Sequence, residues 1–195
     1  MDIASLYQSK LTTPDHAMTA VPSGSKLSMG MAMAEPPALL KALADRAEAG
    51  GIEVLKLYYF ESTRIAGDTI LRYELIGRVR PYCMFIAATE RALIKRAEAD
   101  GGRKVINYVP NNFHQTPRLL IDEIGIDTFV CTVSPMGSAR LFQLRYRQRL
   151  FDQGRARGQA PDRRGQREHA AGQWRRRRVA RVGGRRDRRE QHPAS

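Results

Sequence analysis

No stretch of the 195 residues approaches the roughly 18 consecutive apolar residues of a membrane-spanning helix. The longest apolar run, around 82–88, has the length of a buried strand. The first ten residues lack a basic start followed by an apolar core, so no secretory leader is expected. Only two cysteines occur, Cys83 and Cys131, each inside an apolar segment. They read as small buried hydrophobes in a reduced, cytoplasmic protein rather than as a disulfide or metal pair. No internal period is visible, which argues against a repeat architecture. Gly-x-Gly-x-x-Gly and Gly-Lys-Ser/Thr are both missing, and no histidine pair or acid cluster suggests a metal site.

Lysine, isoleucine, threonine, asparagine and methionine are absent from the last 59 residues. That segment, 137–195, holds 18 arginines against five acids, whereas 1–136 holds 15 Lys+Arg and 15 Asp+Glu. The whole net charge of +13 therefore belongs to the tail, and the pI near 10.4 describes it alone. With too few apolar residues to offset chain entropy, the tail is expected to be disordered. Trp174 followed by four arginines would suit phosphate backbones without sequence preference. The missing residue types point instead to a codon bias. Two parts follow: a domain over 1–136 and a basic tail over 137–195.

The first part alternates helices and strands. Thr13, Pro14 and Asp15 start a short helix that should end near Pro22. A strand is expected at 26–30, then a loop of small residues, then a helix opened by Pro36 and Pro37. Leu39, Leu40, Leu43, Ala44 and Ala47 recur there at helical spacing before Gly50 and Gly51 end it. Further strands are expected at 52–60, 82–87, 104–109 and 126–133, with helices from Thr89 to Gly101 and over 117–123. Strands with near-continuous apolar runs between helices indicate an α/β fold, mostly a parallel sheet with helices on both faces.

Ligands in such sheets collect at the carboxyl ends of the strands. The loops 30–35, 61–67 and 109–116 qualify, with the strand end at Val133, Ser134, Pro135 and Met136. Gly30 and its alanines suit close approach of a phosphate or acyl group, or equally tight helix–strand packing. His114 stands without a second histidine and reads as a loop residue. Glu35, Glu61, Glu90 and Glu123 read as loop or first-turn acids in solvent.

Residues 22–40, PSGSKLSMGMAMAEPPALL, together with YVP at 108–110 and DTFVCTVSPM at 127–136, resemble the acetyl-CoA hydrolase/transferase family, the acetate and 4-hydroxybutyrate CoA-transferases. The resemblance runs from about Leu11 to Met136, within that family's N-terminal domain. It implies transfer of coenzyme A from an acyl-CoA to a small carboxylate in acetate metabolism. The CoA thioester is a substrate there, and no cofactor is permanently bound. It also implies that Gly30, Met31, Ala32, Glu35, Asn111, Ser134 and Pro135 lie at the CoA site. In the family, a glutamate in a G-[IV]-H-[ST]-E-M-like stretch attacks the thioester and then carries CoA, with backbone amides stabilising the oxyanions. That stretch does not occur in this sequence.

The family continues V-S-P-M with D-x-H-G-Y-F-S-F-G, whereas this chain continues GSARLFQLRYRQRLFD over 137–152. Codons permitted for those residues, read one base later, give DRHGYFSFGTGNDYS. The same shift lets 162–171 read LIVEVNENMP and 183–190 read SEVDAIVE. The tail is therefore expected to be an out-of-frame translation starting at or beside Met136. Two functions follow: an inactive part of an acyl-CoA:carboxylate CoA-transferase lacking its catalytic half, or a noncatalytic module whose arginines bind nucleic acid nonspecifically. Brief trypsin treatment should remove 137–195 before cutting elsewhere, as mass spectrometry of the products would show; a protected tail would contradict this division.

Overall fold

The computed structural model describes residues 3–133, so the tail and the predicted site residues Ser134 and Pro135 lie outside the described residues. Helix α1 spans Ile3–Gln8 and α2 spans Pro14–Thr19. The latter starts as expected, with the Thr13 hydroxyl accepting from the His16 amide at 3.3 Å. Strand β1 is Lys26–Met29, α3 Pro37–Glu48, β2 Leu55–Tyr59 and α4 Arg64–Asp68. Then come β3 at Val79–Cys83, α5 at Ala88–Ala99 and β4 at Asn107–Tyr108. Short α6, Thr116–Arg118, widens into a π-helical stretch at Leu119–Ile124 that ends at Gly125, and β5 is Thr128–Val130.

The five strands form one parallel sheet in the order β4-β3-β2-β1-β5. Alternation along β2 shows how both faces are covered. Leu55, Leu57 and Tyr59 enter the main core with Leu27, Val79 and Val130, beneath Leu40 and Leu43 of α3 and Leu93 and Ala97 of α5. Tyr58 faces the other way, with Met84, Leu120 and Ile126, and its ring stacks on Tyr82 at 4.6 Å. The predicted α/β class is the observed one.

The differences are local. The third strand lies at Val79–Cys83 rather than 82–87, because the exposed Arg80 and the buried Pro81 break the apolar run. Proline is tolerated at that point. The Pro81 carbonyl accepts from Asn107 Nδ2 at 3.1 Å, so its missing N–H would also face β4. The β4 ladder begins only at Tyr82, one residue later. The strand expected over 104–109 shrinks to two residues, and the loop expected at 61–67 contains α4.

Gly30 follows β1, and its amide donates to the Val130 carbonyl at 2.8 Å. A Cβ there would meet the Ala34 carbonyl oxygen at 2.5 Å and the Ala34 Cβ at 2.9 Å. Backbone, not a flexible side chain, occupies that space. Gly30→Ala should therefore destabilise by about 1–3 kcal/mol through overpacking, read from the midpoint of denaturant unfolding. An unchanged midpoint would show that the 30–35 loop can move aside freely.

Candidate functional site

Parallel strands deliver all their carboxyl ends to one edge of the sheet, and five connections meet there. After β1, Ala32 adopts a left-handed φ of +49°, which turns Met33 outward to 62% exposure. After β2 come Phe60 and the half-buried Glu61, then buried Ser62, and Thr63, which caps α4 by accepting from the Ile65 amide at 3.2 Å. Exposed Phe85 follows β3, and Asn111 and exposed Phe113 follow β4. Phe60 joins these connections. Its ring lies parallel to Phe85 at 6.3 Å and edge-on to Phe113 at 4.7 Å. The result is an aromatic surface at the mouth of the sheet, with an apolar side chain from each of three loops.

Two acids expected in solvent are buried instead: Glu35 is 2% exposed and Glu90 fully enclosed. Glu35 accepts from the Thr63 amide at 2.7 Å, the Thr63 hydroxyl at 2.6 Å and the Ala66 amide at 3.3 Å. Glu90 accepts from the Ser62 hydroxyl and from the Ala87 amide, the latter at 2.9 Å. The second bond is half of a capping box, since Ala87 has no hydroxyl to return it. The correction has a plain cause: each carboxylate finds donors from a distant segment that a linear reading does not place beside it. Glu61 and Glu123 keep contact with solvent, the latter 3.7 Å from Arg118.

Burial pushes the Glu35 carboxyl above the usual range; the Thr63 and Ala66 donors oppose this, and the Glu90 charge adds to it. Burial also pushes the Cys83 thiol up to about 11, helped by Glu90, and the Cys131 thiol up to about 11. Beyond Ser62 and Thr63, an open cleft of about 930 Å³ runs between α4 and α5 as far as Tyr73 and Arg96. At its end Arg96 and Arg103 sit 4.5 and 4.2 Å from the Tyr73 ring centre, and the Tyr73 hydroxyl donates to Asp100 at 2.5 Å. Among the described residues, no three His, Cys, Asp or Glu side chains gather as a metal site requires.

Of the predicted site residues, Gly30, Met31, Ala32 and Glu35 share the loop after β1. Asn111 leaves β4, three strands away and about 14 Å across the sheet; its side chain donates to the Thr116 hydroxyl at 2.8 Å. Gly30 uses its missing side chain within its own loop, against Ala34. Phe60, Phe85, Phe113 and Glu90 were not singled out for the site. The aromatics stand in separate loops, and only the fold unites them.

The Glu35 shift fixes the sign of a pH effect. An acid whose folded pKa is raised contributes stability below its unfolded pKa, and that contribution is lost as pH rises through the folded value. Glu35→Gln removes this one titration. The stability of the parent chain relative to the variant should therefore fall as pH rises from about 4.5 toward neutrality. Denaturant melts across that range would show it, and a difference that grows with pH would refute the assignment.

No family model matches the sequence. RipA from Yersinia pestis superposes with a TM-score of 0.72 and 66% identity, over 74% of this chain and 33% of its own. Matched structures of that protein include its M31G, F60M and E61V variants and changes at a glutamate numbered beyond 195. A succinyl-CoA:cyclohexane-1-carboxylate CoA transferase from Geobacter metallireducens is 28% identical over 131 residues, 67% of this chain and 27% of that protein. The chain thus spans about a third and a quarter of these two relatives' lengths. Over the residues that build this sheet, the chain is similar in sequence and fold to RipA and, at 28% identity, in sequence to a CoA transferase.

Proposed function

We propose that the chain supplies the amino-terminal part of an acyl-CoA:carboxylate CoA-transferase of the acetyl-CoA hydrolase/transferase type, working in the cytoplasm. One observation carries the reading: the 28% identity over 131 residues to a succinyl-CoA:cyclohexane-1-carboxylate CoA transferase. The carboxyl edge also gathers Met31, Phe60 and Glu61, the same residue types at the same numbers as positions varied in RipA. An acyl-CoA presents an apolar acyl and pantetheine portion, which suits the surface of Phe60, Phe85 and Phe113. A small carboxylate is the second substrate, and the CoA thioester is consumed rather than held as a resident cofactor. Gly30, Met31, Ala32 and Asn111 line the approach of CoA; Ser134 and Pro135, implied there by the resemblance, lie outside the described residues. Glu35 serves the same site from beneath.

Neither buried glutamate suits the nucleophile. Glu35 and Glu90 are sealed and committed to donors, so neither can reach a thioester. The relatives extend far beyond the matched part, and the glutamate varied in RipA carries a number higher than 195. Without an attacking carboxylate the covalent route is closed. The purified chain should bind CoA and transfer none of it from acetyl-CoA or succinyl-CoA to acetate or succinate. Phe60→Ala should weaken CoA binding about fivefold or more by calorimetry. Turnover abolished by changing Glu61, or no CoA binding by the folded chain, would sink the proposal.

A further inference from the structure

The turn that follows β2 is gripped from two sides by buried acids of different elements. Glu35, from the loop after β1, takes the Thr63 amide and hydroxyl and the Ala66 amide. Glu90, from the first turn of α5, takes the Ser62 hydroxyl. Phe60 and Glu61 stand immediately before this grip, so where the turn sits decides what they present at the mouth. Beside Glu90 lies an unexplained group. The Tyr59 hydroxyl is in a residue 1% exposed and has no hydrogen-bond partner. Burial raises the pKa of that phenol most, and Glu90 adds to it through its charge and as a side-chain neighbour within hydrogen-bonding reach, though not aligned for a full bond.

We propose that Glu35 and Glu90 are positioning residues that fix the turn at 61–66 for the site, and that Tyr59 is a reserve donor allowing Glu90 to release Ser62. With Ser62 gone, Glu90 would keep only the Ala87 amide on one oxygen, and a half-satisfied buried carboxylate is disfavoured, so a turn held only by Ser62 could lift only at a cost. A buried hydroxyl without a partner is itself a standing cost of the closed arrangement. When Ser62 leaves, the Tyr59 hydroxyl can donate to Glu90 in its place, and both costs shrink together. The turn therefore has two satisfied positions. What the turn serves rests on the CoA-transferase reading; the grip itself rests on the bonds.

Amide hydrogen exchange on the full chain separates these claims. Exchange at Thr63 and Ala66 is compared with that of β2 amides such as Leu57. Glu35→Gln places an N–H against donors and should speed exchange at the turn about tenfold or more. Tyr59→Phe removes the cost of the closed form and the reserve of the open form, so it should slow exchange at the turn severalfold. Leu57 should be unaffected in both. Unchanged or faster exchange at the turn in Tyr59→Phe overturns the proposal, as does an equal change at Leu57, which would mean a merely global effect. Tyr59→Phe deletes only an unpartnered hydroxyl, so it carries the test even if Glu35→Gln fails to fold. Titration with CoA tests the other half, with severalfold weaker binding expected for Glu35→Gln. If exchange responds as stated and CoA binding does not, the grip stands and its service to a CoA site falls.

Discussion

Glu35 joins three connections that would otherwise meet only by proximity. Its carboxylate holds the turn after β2, and its backbone carbonyl accepts from the Thr132 hydroxyl after β5 at 2.7 Å. Its own place is set by a loop folded tightly enough that Gly30 tolerates no side chain. Neighbouring bonds repeat the tie, from the Gly30 amide to the Val130 carbonyl and from the Thr132 amide to the Ala34 carbonyl, each at 2.8 Å. A buried acid is an expensive way to join loops, because desolvation works against its charge. Three donors converging on one carboxylate keep that cost tolerable. The mouth of the sheet thus has a floor of polar bonds beneath a surface of aromatic rings.

That floor depends on the parallel sheet. The strands β1, β2 and β3 bring their ends side by side, and the connections after them stay short enough for one side chain to bridge. The two outer strands are slight, two residues in β4 and three in β5. The strength of the sheet therefore lies in β1, β2 and β3, under α3 and α5. The opposite face has a smaller cluster built around Tyr58, Met84, Leu120 and Ile126. The mouth is anchored mainly from the α3 and α5 side, where both buried acids find their donors.

Much of this was legible along the chain. The α3 stripe of Leu39, Leu40, Leu43 and Ala47 declares its buried face, and Thr13 with Pro14 declares the start of α2. The fold class follows from such local signals. The third strand was misplaced because its pairing with Leu55–Tyr59, not its own hydropathy, decides where it runs. The polar floor was missed for a related reason. An acid in a loop of small residues looks solvated until Thr63 arrives from 28 positions away, and Ser62 and Glu90 are separated by the same distance. Gly30, Met31 and Ala32 follow β1 directly, a position local signals give, whereas the ring contacts of Phe60 join residues from three loops.

The two thiols have a practical consequence. Alkylating reagents react with the thiolate, and with both groups held near 11 almost none is present at neutral pH. Cys83 and Cys131 are the chain's whole complement of cysteine. The two native thiols should therefore react more slowly with maleimide dyes than an exposed cysteine would. A fluorophore attached through Met33→Cys, at the most exposed apolar position of the mouth, would report chiefly from that edge.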